Sequence, residues 1–164
     1  MKKTYITVIL FVLVISATVF IFCNSSKNIE ATYHDSDSVV EMIKPIIDET
    51  SFKKEYTIDF WVRKAAHGIE FCFLGICVAA LLVHIKNRYQ KSFLGFGFFY
   101  LLLVAVIDEF IQSFNERTSC VEDIVIDFCG AVVGLILVAL LIVLYKFIKQ
   151  KKSNKSGGKN YEKN

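Results

Sequence analysis

A single proline, Pro45, leaves every long apolar stretch of this chain free of the residue that most reliably breaks a helix. None of the five cysteines stands in a C-x-x-C pair, which argues against a thiolate zinc module; those in apolar stretches act as small hydrophobes. H-E-x-x-H, G-x-S-x-G and a closely spaced cysteine and histidine are also missing, so no reaction class can be named from a motif. No internal repeat is evident. Charge is scarcest where it matters most: Tyr5 to Cys23 is an uncharged run of nineteen residues.

Against these absences stands a large apolar content, 54% of 164 residues, with a mean hydropathy of +0.49. That is too apolar for a soluble domain of this size and indicates an integral membrane protein, multi-pass and located in the cell membrane. Tyr5 to Cys23 has about the length needed to cross ~30 Å of hydrocarbon at ~1.5 Å per residue. A cleaved leader has a shorter apolar region and ends on small residues, whereas this run ends Phe20-Ile21-Phe22-Cys23-Asn24, which favours a retained helix.

Three further spans follow, and each must take charge into the bilayer. Phe71 to Val83 is only thirteen residues, so a second span needs residues 60–83 and draws in His67 and Glu70. A third, 93–111, holds Asp108 and Glu109, and a fourth, 124–145, holds Asp127 near its start. The fold class expected is therefore all-α with four transmembrane helices, spans about 5–23, 60–83, 93–111 and 124–145, in one membrane domain over residues 1–146. Residues 147–164 read as a basic, disordered tail whose lysines attract anionic lipid headgroups.

Twelve of the nineteen basic residues lie in three stretches, Lys2 and Lys3, Lys86 to Lys91, and Lys146 to Lys163, with only Glu162 among them as an acid. This pattern is topological and is not a nucleic-acid footprint. It places both termini in the cytoplasm and the two acid-rich loops outside. In the first outer loop, Ser38 and Glu41 have capping-box spacing and Val39, Val40, Met42, Ile43, Ile46 and Ile47 offer an apolar face, which predicts a short amphipathic helix on the bilayer or over the bundle. Cys23 and Cys120 fall near that same outer side, where a disulfide is chemically permitted.

A carboxylate or guanidinium at mid-bilayer costs roughly 2.5–3.5 kcal/mol on insertion scales, so intramembrane charge marks a site facing protein or water. Counting along each span at ~1.5 Å per residue puts Glu70 at about 20 Å, Asp108 at ~24 Å and Asp127 at ~27 Å above the inner boundary, one shared layer. Spacing also groups them by face: Arg63, His67 and Glu70 at i, i+4, i+7; Asp108 and Gln112 at i, i+4; Asp123, Asp127, Gly130 and Gly134 at i, i+4, i+7, i+11. The Gly130-x-x-x-Gly134 pair lets a second helix backbone approach, which turns the aspartates on that stripe toward the bundle centre.

Five acids, Glu70, Asp108, Glu109, Asp123 and Asp127, face Arg63, Arg117 and His67, an excess of negative charge. Protonation of one or two carboxyls, a divalent cation held by carboxylates and His67, or a cationic substrate would each offset it. A buried ion-pair network that only joins helices is the competing explanation. No cofactor is required by the sequence.

The blocks Arg63-Lys64-Ala65-Ala66-His67-Gly68-Ile69-Glu70-Phe71, Asp108-Glu109-Phe110-Ile111-Gln112-Ser113-Phe114, Arg117, and Asp123 to Gly134, in that order, resemble the VanZ-like family over residues 5 to 146. Ser25-Ser26, after the first span, resembles the serine-containing start of that family's outer loop. The chain departs from the pattern at Phe71, where tyrosine is common, at Asn115-Glu116, where proline and glycine precede the arginine, and at Asp127, where asparagine is frequent. The resemblance implies a small four-helix membrane protein of the type named for low-level resistance to the glycopeptide teicoplanin.

Three functions compete. In the first, the polar layer binds an envelope lipid headgroup, a lipoglycopeptide or a cell-wall precursor without turnover, Arg63 and Arg117 contacting phosphate or carboxylate and Asp108, Glu109 and Asp127 contacting amines or ordering the site. In the second, a membrane enzyme acts on a lipid-linked or cell-wall substrate with His67 or Glu70 as general base. Transport is the third, and the almost wholly apolar inner halves of the spans argue against it. Membrane lipids are partners under all three, and the sequence does not set the oligomeric state. The topology has a direct check: a fluorescent-protein fusion after Lys152 should fluoresce and a phosphatase fusion after Lys53 should be active, and the reverse pattern would invert the orientation.

Overall fold

The computed structural model describes residues 2–27, 55–114 and 120–158, with side chains at 4–27, 62–114 and 120–152. Four α-helices make up all the regular structure among these residues: α1 Lys2–Ser25, α2 Glu55–Tyr89, α3 Leu94–Phe114 and α4 Val121–Gly158. Each contains a stretch long and apolar enough to cross a membrane, Thr4–Ser25, Val62–Tyr89, Leu94–Phe114 and Val121–Lys152. The chain is thus a multi-pass membrane protein. The amphipathic helix expected around residues 38–47 and Arg117 both lie outside the described residues.

Helices α2 and α4 extend past the expected spans. With 35 and 38 residues they reach roughly 52 Å and 57 Å at ~1.5 Å per residue, well beyond ~30 Å of hydrocarbon. Residues 55–59 precede the expected start of the second span without a helix breaker and continue its helix. At the other end α4 runs on through Lys146, Lys149, Lys151 and Lys152, so residues 147–158 of the basic tail are helical as far as the Gly157-Gly158 pair. Lysine is a good helix former, and two consecutive glycines are a poor continuation.

Helix α2 ends at Gln90, whose φ of 56° is left-handed and whose N–H donates to the Lys86 carbonyl at 2.9 Å. This closes the last turn as a C-terminal cap usually does with glycine and turns the chain into α3 within four residues. Lys86 and Arg88 sit in that last turn, where cations complement the carbonyl end of the helix. The Arg88 guanidinium reaches Thr7 and Thr4 of α1 at 3.1 Å and 3.3 Å, and His84 meets Thr7 at 3.1 Å. These contacts tie α1 to α2 at the lysine-rich end of the bundle.

The core is small and built along the bundle axis from Val14, Ala17 and Ile21 of α1, Phe71, Leu74 and Val78 of α2, Leu101, Val104 and Ala105 of α3, and Ala131 and Leu135 of α4. Large apolar side chains instead cover the outside, including Phe11 and Phe20 on α1, Phe96 and Phe99 on α3, and Leu140 and Leu141 on α4. In water such a girdle would drive aggregation; in lipid it is the solvated face.

The most extensive packing joins α2 to α4, two helices that run parallel. A methyl group on Gly134 would collide with the Cys72 carbonyl oxygen, and one on Gly130 would lie 2.5 Å from the Gly68 carbonyl oxygen. The bare Cα atoms allow backbone to meet backbone, as small-residue stripes do in membranes. Gly134→Ala should therefore destabilise the bundle by about 1–3 kcal/mol, the usual cost of overpacking. Gly95→Ala, whose new methyl meets nothing within 4 Å, should be neutral or slightly stabilising. Thermal unfolding of the two variants in one detergent checks this, and equal stability would refute the contact.

Candidate functional site

At the end of the bundle opposite the lysines, the last turns of α1 and α3, the first turns of α4 and the second span's opening turns on α2 meet. Polar side chains are buried there although almost everything below them is apolar. Asp108 is 0% exposed, Asp127 2%, Glu109 3%, Gln112 6% and Ser25 0%. These five come from three helices, and α2 adds His67 and Glu70.

The α3 contribution follows from helical spacing. Asp108 and Gln112 stand one turn apart, and the Gln112 Nε2 donates to Asp108 Oδ2 at 2.8 Å, which fixes the carboxylate's orientation. His67 Nδ1 lies 4.0 Å from the same Asp108 oxygen. Leu101, Val104 and Ala105 lie one and two turns below Asp108 on the same side of α3 and are buried, so packing of this apolar face drives the aspartate inward.

Helix α4 brings Asp127 to the same place. Its neighbours on that stripe, Gly130 and Gly134, lie against the α2 backbone, and Asp127 is one turn above them, level with the His67 turn. One ligand atom each from His67, Asp108 and Asp127 all lie within 4.8 Å of one another. Among the described residues Asp127 has no hydrogen-bond or ion-pair partner, although Asp108, Glu109, Glu70 and Lys64 are close enough to act on it electrostatically. A buried carboxylate without a donor is costly, so this arrangement calls for a counterpart.

The remaining acids have local partners. Glu109 Oε1 accepts the Cys120 backbone N–H at 2.7 Å, just ahead of α4. It satisfies a donor at a helix start and sets its negative charge at the positive end of the α4 dipole. Asp123 forms an ion pair with Lys64 of α2, joining the two parallel helices at the rim. Glu70 Oε1 accepts from Asn24 Nδ2 of α1 at 2.8 Å, which draws the first helix into the layer. Arg63 is half-buried one turn before His67 on α2.

The nine residues that sequence spacing singles out thus divide. Structure brings His67, Asp108, Gln112 and Asp127 into one cluster, places Glu109 and Glu70 at its margins on backbone and asparagine partners, leaves Arg63 half-buried one turn before His67, and sets Asp123 at the rim with Lys64. Arg117 lies outside the described residues. Sequence reasoning missed Asn24 and Lys64 as partners. Lys64 stands at i−3 from His67, a spacing that could have pointed to it; Asn24 is separated from Glu70 by 46 positions and carries no such signal. The thiols of Cys23 and Cys120 are free.

A family model described as VanZ/LLP1 matches residues 8–144, well over half of the chain and every site residue named above. No curated protein and no solved structure matches the chain.

The role of Glu109 has a stability signature. Glu109→Ala leaves the Cys120 N–H without its acceptor and should cost about 1–2 kcal/mol, whereas Glu109→Gln keeps a carbonyl oxygen in place and should lose less. Thermal unfolding of both variants in detergent measures the difference; an alanine variant as stable as the wild type would contradict the assignment.

Proposed function

The chain belongs to the VanZ/LLP1 family, and on that footing we propose that it protects the cell envelope against glycopeptides of the teicoplanin type, or maintains that envelope, by binding a polar headgroup at the outward-facing end of its helix bundle. The observation that carries this reading is the burial of Asp108, Glu109, Gln112 and Asp127 beside His67 at one end of a bundle whose core below them is apolar. A bundle of this size needs no such layer for packing, and replacing buried ionic groups by well-packed apolar ones is often neutral or stabilising. Retaining them therefore points to a ligand.

The outward orientation rests on the distribution of lysine and arginine, which sets the acidic end outside. There an envelope lipid, a cell-wall precursor or the antibiotic itself would meet the site from the outer leaflet. Arg63 and Arg117 supply guanidinium forks for phosphate or carboxylate, while Asp108 and Asp127 take an amine or order the site. Glu109 and Asp123 contribute less directly, because the α4 start and Lys64 already engage them.

A second reading, a membrane enzyme acting on a lipid-linked or cell-wall substrate, is favoured by one feature. The Asp108 carboxylate lies 4.0 Å from His67 Nδ1, beyond hydrogen-bond reach but close enough that a small side-chain rotation would let it orient the imidazole as a general base working through its other nitrogen.

Expression of the wild type and of His67→Ala, Glu70→Gln, Asp108→Asn and Arg117→Ala in a sensitive Gram-positive host tests both readings. Teicoplanin susceptibility and membrane abundance are scored together. Variants that stay abundant but return the host to the susceptibility of the empty vector are expected; full protection by abundant variants would remove the polar layer from the function. Mass spectrometry of lipids and wall precursors separates the two readings, since a new protein-dependent species marks turnover and an unchanged profile marks binding.

A further inference from the structure

We propose that His67, Asp108 and Asp127 form a binding site for one divalent transition cation of the zinc or manganese class. This names an occupant for the layer described above, but it stands on the ligand geometry and does not depend on the resistance reading.

Three helices each present one ligand atom, an imidazole nitrogen and two carboxylate oxygens, all within 4.8 Å of one another. Around a zinc ion with bonds of ~2.0–2.2 Å, such atoms stand about 3–4 Å apart, so small side-chain rotations close the set. One imidazole with two carboxylates suits zinc or manganese. Calcium takes six to eight oxygens and magnesium prefers a nearly all-oxygen octahedron, so the histidine disfavours both.

One independent observation points to an occupant. Asp127 is 2% exposed, aims its carboxylate into the cluster, and has neither hydrogen-bond nor ion-pair partner among the described residues. Lys64, whose charge acts on Asp127, is already paired with Asp123. Gln112 donates to Asp108 Oδ2 and holds it in orientation, as the outer partners of metal-binding carboxylates do. Charge leads the same way. Asp108 and Asp127 would be balanced by a dication, and Glu109, 3% exposed with Oε2 lacking a partner among the described residues, adds further negative potential nearby.

Three protein ligands leave at least one coordination position open, the arrangement of catalytic and ligand-binding zinc sites rather than of closed structural ones. That position would accept an anionic oxygen in a pocket whose own charge would otherwise repel it.

The test uses the full-length protein, purified in detergent, stripped with chelator and titrated separately with zinc, manganese and cobalt. About one equivalent of metal should be retained by the wild type, and cobalt should give visible d–d bands. His67→Ala and Asp127→Asn should each weaken binding at least about tenfold, whereas Glu122→Gln, at an exposed position on α4, should not. Wild-type protein that retains no metal overturns the proposal, as do His67→Ala and Asp127→Asn proteins that bind like the wild type. Should those variants fail to fold, pulsed electron paramagnetic resonance on a paramagnetic cation in wild-type protein and in a variant carrying both His34→Ala and His84→Ala decides: coordinated imidazole nitrogen in both supports the site, and its absence refutes it. A metal-free protein whose His67→Ala variant nevertheless loses protection in cells would overturn the cation alone and leave headgroup binding standing.

Discussion

The backbone contact between α2 and α4 is the constraint on which the rest of the structure depends. Gly130 and Gly134 present bare Cα atoms to the carbonyls of Gly68 and Cys72, so two parallel membrane helices pack without intervening side chains. Parallel packing carries register with it. Once those turns are in contact, the turn above on α4 must lie beside the turn above on α2, which sets Asp127 against His67 and Asp123 against Lys64. The third helix then completes the cluster, because packing of Leu101, Val104 and Ala105 into the core leaves Asp108 no direction but inward.

Electrostatics divides the acidic residues of this layer into two kinds. Glu109, Asp123 and Glu70 each answer a local donor: the start of α4, a lysine on the neighbouring helix, and an asparagine at the end of α1. These contacts close the polar end of the bundle and would be of use whatever the protein does. Asp127 is different, since it is buried with no donor of its own among the described residues and shares its position with His67 and Asp108. In an apolar surrounding where unpaired charge is expensive, that difference separates the part of the layer that holds helices together from the part that awaits something else.

Four spans, the shared depth of the charged groups and the orientation of their faces follow from local rules. Hydrophobic length decides whether a segment crosses, helical spacing decides which residues share a face, and the inward turn of Asp127 is legible from the glycines that continue its stripe. Helix ends were less legible. The extensions of α2 back to Glu55 and of α4 to Gly158 lie beyond the spans expected from hydrophobic length, where charged and polar residues weaken the hydropathy signal and the absence of breakers is the main cue. Partners across helices were least legible: nothing local in the sequence links Asn24 to Glu70 or Thr18 to Tyr100, which lie close enough to hydrogen-bond in the folded bundle.

By itself the sequence determined that this chain is a membrane protein of four helices with its ionisable groups gathered toward one end, because insertion energy and helical period depend only on residue type and order. Which of those groups meet was decided by the tertiary structure alone. Depth places a residue in a layer, but only the rotation and register of packed helices determine its neighbours, and those are set by contacts between residues far apart in the chain. Glu109 and Asp108 make the point: adjacent in sequence and equally buried, one is turned to the start of α4 and the other to His67.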